Sequence, residues 1–246
     1  DQRSQDYQGA DKIIRPGHAD QTTIDKYGIR DHRGSGRSSG RERLGRVIGG
    51  YFASLILPNL DLYAYASSIG QFSLKSDFVI DKAAREFGPY SFPDHAREHE
   101  LKSYLLELQK KGDSVGGRVS LRIENPPKGL GEPVFSKLKA DLAQAMLSIG
   151  GCTAFSYGVG EQFAYIKGSE ILDHAPFGGI EGGISSGAPI ELELTFKPPS
   201  TVGVMARSGR HDPVIVPRAI VVVEAMARLV MVDHYLRQNA YQLPKS

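Results

Sequence analysis

The sequence predicts an α+β fold, and three features of the 246 residues predict it. Arg118-Val119-Ser120-Leu121-Arg122-Ile123-Glu124 alternates polar and apolar, the period of a half-buried strand. Pro217 to Gln238 runs as a long apolar-faced helix. The other helices and strands follow one another without regular βαβ alternation.

Taken in order, residues 1–40 are polar, rich in Gly, Arg, His and Asp, and weakly periodic, so a structured loop is expected there. A helix is predicted from Ser39 through Leu57. Leu44, Val47, Ile48, Tyr51, Phe52 and Leu55 fall at helical spacing, and Pro58 stops it. Residues 62–81 alternate weakly, as a strand would. Asp94 to Lys111 reads as a charged amphipathic helix ending at Gly112. After the strand at 118–124, Pro126, Pro127 and Gly129 break the chain. A helix from Glu132 or Pro133 to Ile149 is expected to carry Phe135, Leu138, Leu142, Ala145 and Met146 on one stripe, with Gly150-Gly151 ending it. Thr153–Tyr157 and Phe163–Lys167 read as strands, 178–187 as a glycine-dense loop, and Ile190–Phe196 as a further strand.

Composition narrows the function classes. Hydrophobic residues make up 40% and charged residues 24%, as in ordinary globular proteins. Thirty Lys and Arg against 28 Asp and Glu leave a net charge of +2, too small to imply a polyanion partner by itself. Cys152 is the single cysteine, so no internal disulfide forms, and a reducing compartment such as the cytoplasm is expected. No apolar run is long enough to span a bilayer. His95 and His99 stand four apart on a predicted helix, but Glu98 and Glu100 make a solvated face the better reading, and no metal is expected.

The densest chemistry lies between Arg15 and Arg46. It contains Arg15, Arg30, Arg33, Arg37, Arg41, Arg43 and Arg46, with His18, His32 and the small run Gly34-Ser35-Gly36. Guanidinium forks match carboxylate and phosphate oxygens, and glycines let successive N–H groups turn toward one anion. Ser38 and Ser39 precede a helix N-terminus, which also favours anions. A pocket for a small, highly charged anion is the preferred reading. The alternatives are a solvated basic loop or an RNA-binding segment, and the latter is disfavoured because Tyr27 alone interleaves with the arginines. A second cluster, Gly209-Arg210-His211-Asp212-Pro213, offers a charged clamp and a proton-transfer group, or simply a salt-bridged turn.

Six ordered segments then carry a resemblance. They are Arg15-Pro16-Gly17-His18-Ala19-Asp20, Lys26-Tyr27-Gly28, Arg37-Ser38-Ser39-Gly40-Arg41-Glu42, Gly129 to Phe135, the loop 178–187, and Arg210-His211-Asp212-Pro213 with Pro217-Arg218-Ala219. Together they resemble the chorismate synthase family across nearly the whole chain. The resemblance implies a single domain, a sandwich of helices between antiparallel sheets, and a cytoplasmic homotetramer with no membrane or nucleic-acid partner. It implies conversion of 5-enolpyruvylshikimate 3-phosphate to chorismate and phosphate by anti 1,4-elimination. Reduced FMN is the implied cofactor, with NADPH as a candidate reductant for the flavin.

Residue by residue, the resemblance implies that His18 lies beside the flavin, stabilising or protonating its reduced form. Arg15 and Arg210 would grip substrate anions. Asp212 would relay a proton near the flavin, and Ser39 would hydrogen-bond substrate or that relay. Arg37, Ser38, Gly40, Gly182, Lys197 and Thr201, with His18, Ser39, Arg210 and Asp212, would line the flavin site. The turn Gly150-Gly151 would approach it. Members of the family begin with a Phe-Gly-Glu-Ser-His-Gly segment that has no match here, and they have longer loops before Gly178 and between Lys197 and Arg210. The expectation is therefore an enzyme seen incompletely at its start, with a catalytically silent flavin- or anion-binding remnant or assembly subunit as the alternative.

Overall fold

The computed structural model describes residues 14–32, 36–81, 88–174, 177–203, 206 and 211–241. Helix α1 spans Asp20–Tyr27, α2 Arg43–Ile56, α3 Glu98–Lys111, α4 Leu138–Leu147, α5 Gly168–His174 and α6 Val216–Ala240. Strands are β1 Leu62–Ile69, β2 Phe72–Ser73, β3 Gly117–Ile123, β4 Cys152–Tyr157, β5 Ile180–Glu181, β6 Ile184–Ser185 and β7 Ile190–Phe196. The α+β expectation holds: a five-stranded sheet ordered β2-β1-β3-β7-β4 packs against helices, and β5-β6 form a separate ribbon. All strand pairings are antiparallel.

Alternation decides which face is core. Leu62, Ala64 and Ala66 stand opposite Ile123, Leu121 and Val119, which in turn stand opposite Ile190, Leu192 and Leu194. All nine are buried. A one-residue slip would exchange this apolar set for Tyr, Arg and Glu side chains, so the register is strongly specified. The opposite face carries cross-strand ion pairs, Arg118 with Glu193 at 3.1 Å and Arg122 with Glu191, over a groove of about 1290 Å³.

The apolar face is covered by α6, whose Val216, Ala219, Val222, Val223, Ala227 and Met231 are buried. Glu224 on α6 accepts a hydrogen bond from the Ala64 backbone N–H at 2.8 Å. Helix α4 closes the sheet beyond α6. Helix α3 buries Leu101 and Leu105 in the same core as Phe72 and Phe92, and ends where Gly112 adopts φ +67°, a left-handed C-cap.

Several expected elements come out differently. Within the polar start, Asp20–Tyr27 is a helix with Asp20 as its only buried residue, so no apolar stripe announces it. The predicted helix at 39–57 is one short 3-10 turn, Gly40–Glu42, followed by α2. Of its apolar stripe only Val47 packs against the core. Gly50 and Ala53 are buried, whereas Leu44, Ile48, Tyr51, Phe52 and Leu55 are exposed. A Cβ at Gly50 would stand 2.5 Å from the Ala225 Cβ, so the small face of α2 is the one that approaches α6. Helix α4 begins at Leu138, after a bend at 133–135 that leaves Phe135 91% exposed and an extended N-cap at Lys137. Phe163–Lys167 is not a strand: a 3-10 turn over Gly160–Ala164 leads into α5.

Candidate functional site

Asp20, at the first turn of α1, organises the basic segment. Its carboxylate is 3% exposed and accepts from the Arg15 backbone N–H at 3.1 Å, Nε at 2.9 Å and Nη2 at 2.9 Å. Arg30 Nη1 stands 3.3 Å away and His18 Nδ1 2.9 Å away. Burial alone would raise the Asp20 carboxyl, but the hydrogen bonds and charge of Arg15, with His18 beside it, hold it well below the usual carboxylate range. His18 Nδ1 stands between the Asp20 carboxylate, which only accepts, and Arg15 Nη2 at 3.1 Å, which only donates. Burial first, then the Arg15 and Lys197 charges, lower the His18 pKa against the opposing pull of Asp20. The ring is neutral at neutral pH.

From His18 a band of contacts continues across the sheet end. Lys197 Nζ donates to the Gly17 carbonyl, and Ser200 Oγ donates to the same oxygen at 3.1 Å. The Lys197 backbone N–H donates to the Gly151 carbonyl at 2.9 Å. The Gly150 carbonyl in turn accepts from Arg43 Nη2. On the other side Thr201 offers its carbonyl to His211 Nδ1 at 2.9 Å, and Asp113 offers its carbonyl to Nε2 at 2.8 Å. His211 therefore ties the loop to the end of α3, with both ring nitrogens facing backbone oxygens. Asp212, next in sequence, is ion-paired with Arg218 on α6.

The structure thus links Gly17, next to His18, with Lys197 and the Gly150-Gly151 turn, whereas Thr201 faces His211 and Asp212 faces Arg218 on α6. Ser39 caps a 3-10 turn, its Oγ accepting from the Arg41 N–H at 3.2 Å. Arg37 and Ser38 are exposed on the turn just before it, and Gly40 follows, with its own Cβ position 3.8 Å from the Arg43 guanidinium. Gly182 is set apart. Its ribbon bonds to the start of α4, through the Leu138 N–H to the Gly183 carbonyl at 2.8 Å, whereas Gly150 follows the far end of α4. A ten-residue helix separates them, about 15 Å of rise. Arg210, Arg33, Gly34, Ser35 and Gly209 lie outside the described residues. No group of His, Cys, Asp and Glu among the described residues could hold a metal ion. No helix among them is long and apolar enough to cross a membrane.

Two residues of consequence were not singled out from the sequence. Asp20 was one member of a motif, and nothing in spacing marks it as the hub for Arg15, Arg30 and His18. Arg43 was one arginine of seven, yet it is 9% exposed and its Nε has no hydrogen-bond partner. Its signal was available: residues 43, 50 and 53 share one face of α2, so a cation stands on the face that packs inward.

Comparison with known proteins gives one answer. The sequence profile of the chorismate synthase family matches residues 1–236. A chorismate synthase of Christiangramia forsetii is 41% identical, the match covering 98% of this chain and 75% of the relative. One of Bdellovibrio bacteriovorus is 43% identical over 96% of this chain and 71% of its own, and one of Cytophaga hutchinsonii is 42% identical over 99% and 76%. A crystal structure of a chorismate synthase superposes with a TM-score of 0.76 at 28% identity, covering 89% of this chain and 70% of that one.

Proposed function

The chain belongs to the chorismate synthase family, an enzyme family, and we propose that it forms chorismate by reduced-FMN-dependent anti 1,4-elimination of phosphate from 5-enolpyruvylshikimate 3-phosphate. The observation that carries this reading is the band joining Gly17-His18, Lys197 and Gly150-Gly151 at one end of the sheet. Both the substrate and FMN are multiply charged anions, and the band is rich in cations and open glycine backbone.

The residues fit such a ligand. Gly40 and Gly150 are exposed, and a Cβ at either would meet nothing nearer than the Arg43 guanidinium, at 3.8 and 3.7 Å. A flat or phosphorylated group can therefore approach the backbone closely there. Lys197 and Arg37 would add charge at the rim. When bound, reduced FMN supplies electron density to the allylic system as phosphate departs.

The chain's own tasks follow from its geometry. Asp20 and Arg15 hold the His18 ring through Nδ1, and the ring would exchange a proton or a hydrogen bond with the ligand. Asp212, ion-paired with Arg218, would take the proton onward. Arg15 is committed to Asp20 through two guanidinium nitrogens, so its grip on substrate would be shared with that carboxylate. A homotetrameric, cytoplasmic enzyme acting in the shikimate pathway of aromatic amino acid synthesis, with NADPH or another donor reducing the flavin, completes the proposal.

Anaerobic turnover of the substrate with photoreduced FMN tests it. His18→Ala and Asp212→Asn should each lower turnover by about a hundredfold or more while leaving the circular dichroism spectrum unchanged. Rates near those of the parent at saturating reduced FMN would overturn the two assignments. Flavin binding without any turnover by the parent would favour the silent remnant.

A further inference from the structure

Arg43 is the first residue of α2, and its side chain runs inward beneath the exposed edges of Gly40 and Gly150. One of its nitrogens, Nη2, donates to the Gly150 carbonyl. Nε is buried and makes no hydrogen bond. No carboxylate pairs with the guanidinium among the described residues. Its sequence neighbour Glu42 is committed to Arg46 at 3.1 Å, and Arg46 also donates to Ser148 Oγ at 2.7 Å. A guanidinium never loses its proton at ordinary pH, so this is a permanent charge held out of water without a counterion. Buried charges are stable only when paired or fully hydrogen-bonded.

We propose that Arg43 is an anion-binding residue, taking a phosphate or carboxylate oxygen of a ligand that enters between Gly40 and Gly150. Three observations support it. Arg43 is nine-tenths buried, its Nε is unpartnered, and the two glycines nearest to it are open to solvent. The N-terminus of a 14-residue helix adds positive partial charge at the same place. Burial also lowers the Arg43 pKa, Glu42 opposing and Arg46 adding to the effect, so the site gains from any anion that arrives.

The existence of this site rests on Arg43 alone. Which anion fills it, the flavin phosphate or the substrate phosphate, rests on the proposed function. The experiment separates the two. Thermal melts and equilibrium binding are measured for the full chain and for Arg43→Met and Arg43→Lys, with inorganic phosphate, FMN, riboflavin and shikimate 3-phosphate as probes. Without ligand, R43M should melt at or above the parent temperature, because an uncompensated charge has been removed. Its affinity for inorganic phosphate should fall about tenfold to a hundredfold, the loss of one charge-assisted contact. If the flavin phosphate is the occupant, FMN weakens by the same factor and riboflavin does not change. If the substrate phosphate is the occupant, shikimate 3-phosphate weakens and FMN does not. A parent chain that binds phosphate but no flavin would count against the proposed function and leave the Arg43 site standing. An R43M protein that melts several degrees lower with its phosphate affinity intact would overturn the site, making Arg43 a strut for the Gly150 turn. Should R43M fail to fold, R43K decides. It lacks the Nε donor, so phosphate binding several-fold weaker supports the site, and unchanged binding overturns it.

Discussion

Replacing Asp20 by Asn isolates the interaction on which the basic segment depends. The substitution keeps volume and one accepting oxygen, but it turns the other oxygen into an NH₂ donor facing donors of Arg15, Arg30 and His18. Removing one partner of a buried ion pair typically costs 3–5 kcal/mol, because the remaining charge stays uncompensated. Here the partners are 25%, 21% and 10% exposed, so water recovers part of that. The expected loss is about 2–4 kcal/mol. For a domain of this size it corresponds to a melting temperature lower by roughly 5–15 °C. The pH dependence is specific. The folded-state pKa of Asp20 lies below its unfolded value, so the stabilisation is complete above about pH 4 and is lost only as pH falls through the folded value. Urea unfolding followed by circular dichroism at pH 5, 6, 7 and 8 should therefore show a gap between parent and variant that does not close toward pH 5. A gap under about 0.5 kcal/mol at pH 7 would refute the claim that Asp20 neutralises this cluster.

Two further outcomes follow from the same geometry. His18 has a folded-state pKa below its unfolded value, so its contribution is complete above about pH 6.5 and declines as pH falls through the folded value. His18→Gln should flatten that acid-side decline in stability, and an unchanged slope would remove His18 from the account. Gly50→Ala should cost about 1–3 kcal/mol by forcing α2 away from Ala225 on α6, readable as a lower melting temperature. An equally stable variant would mean that the two helices do not approach as closely as Gly50 and Ala225 require.

The strands were readable because β-structure writes its buried face every second residue. Val119, Leu121 and Ile123, or Ile190, Leu192 and Leu194, cannot serve any other arrangement with their polar neighbours. The helices were less readable for identifiable reasons. Helix α1 is fastened by Asp20 to Arg15, a charge interaction that no hydrophobic period records. Helix α2 carries two competing faces, a wide apolar one and a narrow one of Gly50 and Ala53. Periodicity favours the wide face; close backbone approach to Ala225 favours the narrow one, and contact geometry decides in its favour. Phe163 to Lys167 has strand-like composition, yet Gly160 and Gly168 bracket it with turn and helix starts. The band of candidate residues was reachable only through resemblance, since Gly17, Gly150 and Lys197 meet through backbone carbonyls that leave no mark on composition.

Charge counting shows where sequence and structure part most sharply. Seven arginines between Arg15 and Arg46 suggested a pocket with abundant positive charge. The fold divides them into unequal roles. Arg15 and Arg30 share the single carboxylate of Asp20, and Arg46 is held by Glu42 and Ser148. Those three shape the walls, and an arriving anion would have to compete with carboxylates for them. Arg43 has no such competitor, and burial removes the water that would otherwise satisfy it. A desolvated guanidinium attracts an anion more strongly than an exposed one, because the effective dielectric around it is lower. The capacity of this segment to bind phosphate is therefore set less by how many arginines it contains than by the buried one that pairs with no carboxylate among the described residues, and that residue stands where α2 begins.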